Sequence, residues 1–217
     1  MIAAERVSAL EKEWVELLTG FGVAAAPASA SFESLRTAYT QPSRHYHNLE
    51  HLTEMFEVAT LLSAQIDDPA AVALAIWFHD VVYDPRAKDN EARSAELAAD
   101  LLGPLGVPIA TIERVGELVN ATAHLASSQP SADSDAAVLI DADLAILGAS
   151  AERYLRYSMD IRKEYAFVSD DDYRQGRAAV LQMFLSRPRI FRTRHVFEER
   201  EETARRNIAA ELRDYST

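Results

Sequence analysis

The 217-residue chain is 48% hydrophobic, enough for one domain with a sizeable core, and carries a formal charge of −12 with a pI near 4.9. That negative field disfavours binding to nucleic acid or anionic lipid and requires that any anionic substrate be neutralised locally. No cysteine is present, which excludes disulfides, thiolate–zinc sites and a cysteine nucleophile, so metal chemistry here must use His, Asp and Glu.

Abundant Ala, Leu and Glu against 7 Gly and 8 Pro favour long helices joined by short connections. The opening stretch MIAAERVSALEKEWVELL mixes acidic and basic residues at helical spacing and lacks the apolar core of an export signal. The longest apolar run, Ala70 to Val82, is broken by His79 and Asp80 and is too short to span a bilayer. A cytoplasmic protein without membrane association is therefore expected.

Hydrophobic periodicity predicts helices over 2–19, 32–39, 46–64, 69–83, 89–102, 108–125, 134–148, 150–166, 170–186 and 199–213. The small-residue stretch Ala24 to Ser31 reads as a loop. Asp68-Pro69 supplies a cap and a preset first helical residue, and Ser169 followed by three aspartates places a cap and negative charge at a helix start. Pro85, Pro104, Pro130 and Pro188 mark stops. Tyr154, Tyr157, Ile161 and Tyr165 recur at three and four residues, a stripe that reads as core packing. With no repeat and no visible linker, the expectation is an all-α single domain of about ten helices over 1–217.

Five of the six histidines lie between 45 and 124. Within Arg44-His45-Tyr46-His47-Asn48-Leu49-Glu50-His51, His47 and His51 fall one turn apart on the face of the predicted helix, so they can serve one site. In Trp77-Phe78-His79-Asp80-Val81-Val82-Tyr83, a histidine and an aspartate interrupt an apolar helix. Burying that charge costs several kcal/mol, roughly, unless it is paired or bound to metal; either a ligand pair or a hydrogen-bonded His–Asp couple meets the requirement. In Val138 to Gly148, helical phasing places Asp143 with Leu139, Ile140 and Leu147, and Asp141 beside Ala137, Ala145 and Gly148, which predicts Asp143 as the more buried carboxylate and the ligand.

In order along the chain, His51, the His79-Asp80 pair and Asp143 resemble the H…HD…D signature of the HD superfamily of metal-dependent phosphohydrolases. Tyr46-His47-Asn48-x-x-His51 is similar to an element of cyclic-nucleotide phosphodiesterases whose first histidine is a general acid and whose second binds metal. The segments YHNLEH, FHDVVYD, Asn90 to Ala95, DADLAILG and IRKEY, spanning about 35–190, resemble a bacterial group of HD-type phosphohydrolases. The resemblance implies a helical HD-type fold, metal ligands His51, His79, Asp80 and Asp143, and a phosphorylated small-molecule substrate.

Four such ligands suit Mn²⁺, Fe²⁺, Co²⁺, Ni²⁺ or Mg²⁺ and do not exclude Zn²⁺. An ion there would neutralise phosphate and acidify a bound water, and His47 would protonate the leaving oxygen, so His47 and Asp80 are the catalytic candidates. Asp84 and His124 are candidates for contacts around that centre, and Arg44, Arg162 and Lys163 for phosphate contacts. The basic run Arg187 to His195 reads as a solvated loop. Two other classes compete: a non-catalytic metal-containing regulatory module, and a di-iron HD oxygenase, which needs more histidines between Asp80 and Asp143 than His124 alone. No nucleic-acid partner is expected, and a homo-oligomer is compatible with the sequence.

Overall fold

Pro69–Phe78, the most apolar helix, is walled in on all sides, because seven of its ten residues (Ala71, Val72 and Leu74 to Phe78) are buried. A helix hydrophobic around its whole circumference belongs at a centre, and the rest of the chain is arranged around it. The computed structural model describes residues 3–123 and 133–215. Among these the chain is all-helical: α1 (Ala4–Gly20), α2 (Ala25–Tyr39), α3 (Leu49–Leu61), α4 (Pro69–Phe78), α5 (Asn90–Leu102), α6 (Ile109–Ala121), α7 (Ser134–Leu144), α8 (Ala151–Glu164), α9 (Asp170–Ser186) and α10 (Arg194–Asp214). Short 3-10 turns, Ser63–Gln65 and Ala145–Gly148, extend α3 and α7. His124 and Pro130 lie outside the described residues. No described helix is long and apolar enough to cross a membrane.

Helices α3, α4 and α7 pack on one another, α6 covers α4 and pairs with α5, and α10 lies along the Ala145–Gly148 turn. Trp77 of α4 meets Trp14, Phe32 and Phe56 at ring-centroid distances of 5.5, 5.9 and 5.5 Å, so α1, α2 and α3 close over the same aromatic cluster.

Four boundaries depart from the periodicity, each for a local reason. First, the Ala24–Ser31 stretch is helical from Ala25, because alanine is the best helix former and Pro27 falls in the first turn, where its missing N–H has no intrahelical partner to lose. The Trp14 indole pins this turn by donating to Ala28 O at 3.1 Å and Ser31 Oγ at 3.0 Å. Second, α3 starts at Leu49, not 46: Asn48 is its cap and accepts the Glu50 N–H at 2.8 Å, so His47 sits on the preceding loop and not on the helix. Third, α4 ends at Phe78, so His79 and Asp80 close the helix instead of interrupting it. Fourth, α10 begins at Arg194, capped by Thr193.

Candidate metal centre

The end of α4 leaves carbonyls without intrahelical partners, and two of them are met by side chains that also fix the site. The Tyr39 hydroxyl donates to Trp77 O at 2.9 Å, and His79 Nδ1–H donates to Ile76 O at 2.9 Å. The buried Arg44 guanidinium donates to the carbonyls of Asp80 (2.6 Å), Val81 (2.8 Å) and His47 (3.1 Å), stitching the 44–47 loop to the His79-Asp80 turn. Arg44 therefore positions backbone and does not face a ligand. On the far side of the turn, the buried Ser94 hydroxyl accepts the Val82 N–H at 3.1 Å.

With Nδ1–H committed to Ile76 O, His79 directs its Nε2 lone pair at His51, whose Nε2 is 3.1 Å away. Asp80 Oδ2 lies 3.0 Å from His79 Nε2, and Asp143 Oδ1 lies 3.2 Å from His51 Nε2 and 3.9 Å from His79 Nε2. His51, His79 and Asp80 have ligand atoms all within 4.8 Å of one another. Two imidazole nitrogens this close repel unless a proton or a cation lies between them. The field calls for positive charge: although burial opposes it, Asp80 and Asp143 push His79 up to about 9. Asp80 is held below the carboxylate range, His79 and His47 outweighing its own burial. Two nitrogens and two carboxylate oxygens are a borderline-hard donor set that fits a first-row divalent ion or Mg²⁺.

Beside the cluster stands a pair the sequence reading half missed. Glu164, the last residue of α8, is buried, and its Oε1 accepts the backbone N–H groups of His45, Tyr46 and His47 at 2.8, 2.7 and 3.0 Å. Its Oε2 takes His47 Nδ1–H at 2.6 Å and the Tyr83 hydroxyl at 3.1 Å. Burial works against the charge on Glu164, yet His47 and the backbone donors hold it down to about 2. His47 in turn is raised: burial opposes, but Glu164 and Asp80 prevail. The ring stacks on Tyr83 at 4.1 Å and turns Nε2 toward Asp80 Oδ2 at 4.0 Å. The pairing of His47 and His51 thus comes from this loop clamp, not from one helical face. Within IRKEY it is Glu164 that reaches the site; a glutamate three residues after Ile161 on the tyrosine stripe was the available signal.

Other candidates lie elsewhere. Arg162 donates to Tyr165 O, Val168 O and Asp170, holding the turn after α8, and the exposed Lys163 pairs with Asp160. Asp84 organises the 84–90 loop, its Oδ1 accepting the Arg86 N–H at 2.9 Å and its own N–H going to Asn90. Asp141, and not Asp143, is the more buried carboxylate at 0% exposure, because it accepts the backbone N–H groups of Arg192 and Thr193 at 2.7 Å each. The Arg187 to His195 run is correspondingly less solvated than expected: Ile190, Phe191 and Thr193 are buried, and Glu201 accepts the N–H groups of Ile190 and Phe191.

A cavity of about 490 Å³ opens beside the cluster, with Tyr46, His47 and Asp143 in its lining and Tyr157, Ile161 and Tyr165 further along it. The stripe on α8 is core at Tyr154 and cavity wall beyond it. No family model, curated protein or solved structure matches the chain.

Proposed function

We propose that this chain is a metal-dependent phosphohydrolase of the HD type, cleaving a phosphate ester of a small molecule. The observation that carries the reading is the convergence of His51, His79, Asp80 and Asp143 next to a carboxylate-held histidine at a cavity. A divalent ion, when bound, supplies charge neutralisation for a phosphoryl group and acidifies water at neutral pH. In an acidic chain with Arg44 committed to carbonyls, that neutralisation has no arginine or lysine substitute beside the cluster among the described residues.

In this proposal His47 is the general acid. Glu164 fixes its Nδ1 as a donor and stabilises the imidazolium, which keeps Nε2–H available to the oxygen of the departing alcohol. Tyr83 holds the ring flat from one side, and Arg44 fixes the loop that carries it. A mere metal-sensing module has no need of a histidine held by a buried carboxylate in this way beside the cluster, and this favours catalysis over the regulatory reading. A cytoplasmic setting and a small phosphorylated substrate are part of the same proposal.

The test is phosphate release by metal-depleted protein resupplied in turn with Mn²⁺, Fe²⁺, Co²⁺, Ni²⁺, Mg²⁺ and Zn²⁺ across a panel of phosphate esters. Turnover that returns with metal, is absent in Asp80→Ala, and falls by roughly 10²–10⁴ in His47→Ala with metal retained is expected. Metal-loaded protein that releases phosphate from nothing in the panel would count against the proposal.

A further inference from the structure

The cavity beside the centre has a composition that selects among phosphate esters. Its walls are aromatic and aliphatic: Tyr157, Tyr165, Tyr173 and Phe184, closed by residues of the Ala145–Gly148 turn and α9. The one guanidinium among its described lining residues is already committed. Arg177 Nε and Nη2 donate to Glu211 at 2.9 and 3.2 Å, and Nη1 donates to the Tyr157 hydroxyl at 3.2 Å. The carboxylates in the lining, Asp143 and Asp172, repel anions. Among the described lining residues, therefore, no guanidinium or ammonium is left uncommitted to receive a second phosphate. The Tyr46 ring is in the lining, and its hydroxyl is buried without a hydrogen-bond partner among the described residues.

Resting on the phosphohydrolase reading, we infer that the substrate is a monophosphate ester whose alcohol carries a flat aromatic or heteroaromatic body. The body lies among the tyrosines, where ring faces favour stacking, and the single phosphoryl group stays at the end lined by His47 and Asp143. Nucleoside polyphosphates are poor fits, because their extra charges meet no uncommitted guanidinium or ammonium among the described lining residues, and sugar phosphates because they have no flat apolar face to set against the predominantly apolar wall.

Gly176 on α9 provides the test. It belongs to the lining, and a Cβ built there meets nothing within 4 Å, so a larger side chain is accepted at the cavity wall without clash and with better helix propensity than glycine. Calorimetric titration of Mn²⁺-supplemented protein would compare 1-naphthylmethylphosphonate, octylphosphonate, inorganic phosphate and glucose 6-phosphate, and a nucleoside monophosphate with its diphosphate. The naphthyl compound should bind about tenfold or more tighter than inorganic phosphate and than octylphosphonate, with no gain from the diphosphate. In Gly176→Leu that advantage should vanish while inorganic phosphate binds as before. Equal binding of octylphosphonate, tighter binding of glucose 6-phosphate or the diphosphate, or a naphthyl advantage untouched in Gly176→Leu would overturn the assignment. Hydrolysis of 1-naphthyl phosphate is read separately: tight naphthyl binding without turnover keeps the ligand class and removes the phosphohydrolase reading.

Discussion

Asp141 and Asp143, two residues apart on α7, do opposed jobs. Asp143 faces the histidines, and Asp141 accepts two backbone N–H groups from the loop before α10. Asp141→Ala strands two buried donors at about 1–3 kcal/mol each, so it should lower the melting temperature by several degrees and leave metal content unchanged. Asp143→Ala should weaken metal binding and leave the melting temperature of metal-free protein close to wild type. Paired thermal melts and metal analysis of the two variants check this, and the opposite division of effects would reverse the roles. Helical phasing ranked the two carboxylates the wrong way for burial, because α7 is buried on nearly all sides and no one face marks its interior. The burial of Asp141 was illegible, because its partners arrive 51 residues later in the chain. Glu164 was hidden for the same reason: its hydrogen-bond partner at His47 is 117 residues away.

At the scale of elements, the long periodic helices were legible and their ends were not. The starts of α2 and α3 and the finish of α4 are decided by single residues: Pro27 tolerated in a first turn, Asn48 as a cap, His79 bonding back to Ile76 O. Those endings matter functionally, since they put His47 on a loop and His79-Asp80 at a helix terminus. The contact of α10 with the Ala145–Gly148 turn is equally dependent on one residue. A Cβ on Gly148 would lie 2.5 Å from Arg200 Cβ and 2.9 Å from Arg200 O, a close approach only glycine permits. Arg200 and Asn207 then reach across to the carbonyls of Ala145, Leu147 and Ala149. Gly148→Ala should force α10 outward and cost about 1–3 kcal/mol, readable by chemical denaturation. A variant as stable as wild type would mean that the turn yields freely.

For the whole molecule, one acid-sensitive link is Glu164, which ties α8 to the 45–47 loop. Its carboxyl is depressed from 4.5 to about 2 in the folded state, burial being outweighed by His47 and the backbone donors. A depressed folded pKa contributes stability that is fully present above the unfolded value and is lost as pH falls through the folded one. At about 1.4 kcal/mol per pH unit, the contribution is on the order of 3 kcal/mol, and it should disappear between about pH 4.5 and pH 2. Unfolding free energies of wild type and Glu164→Gln should therefore converge over that interval, and a constant gap from pH 7 to pH 2 would remove Glu164 from this role. Above it, in the proposed function, the charge of −12 makes the site depend on a bound cation to receive an anion.

That dependence makes metal binding the central claim. Elemental analysis and calorimetric titration of wild type, His79→Ala and Asp80→Ala with Mn²⁺, Fe²⁺, Co²⁺, Ni²⁺, Mg²⁺ and Zn²⁺ test it most directly. The account predicts stoichiometric binding of at least one of these ions by wild type, weakened by about 100-fold or more in both variants. Wild-type protein that binds none of them, or a His79→Ala variant that binds as tightly as wild type, would contradict it.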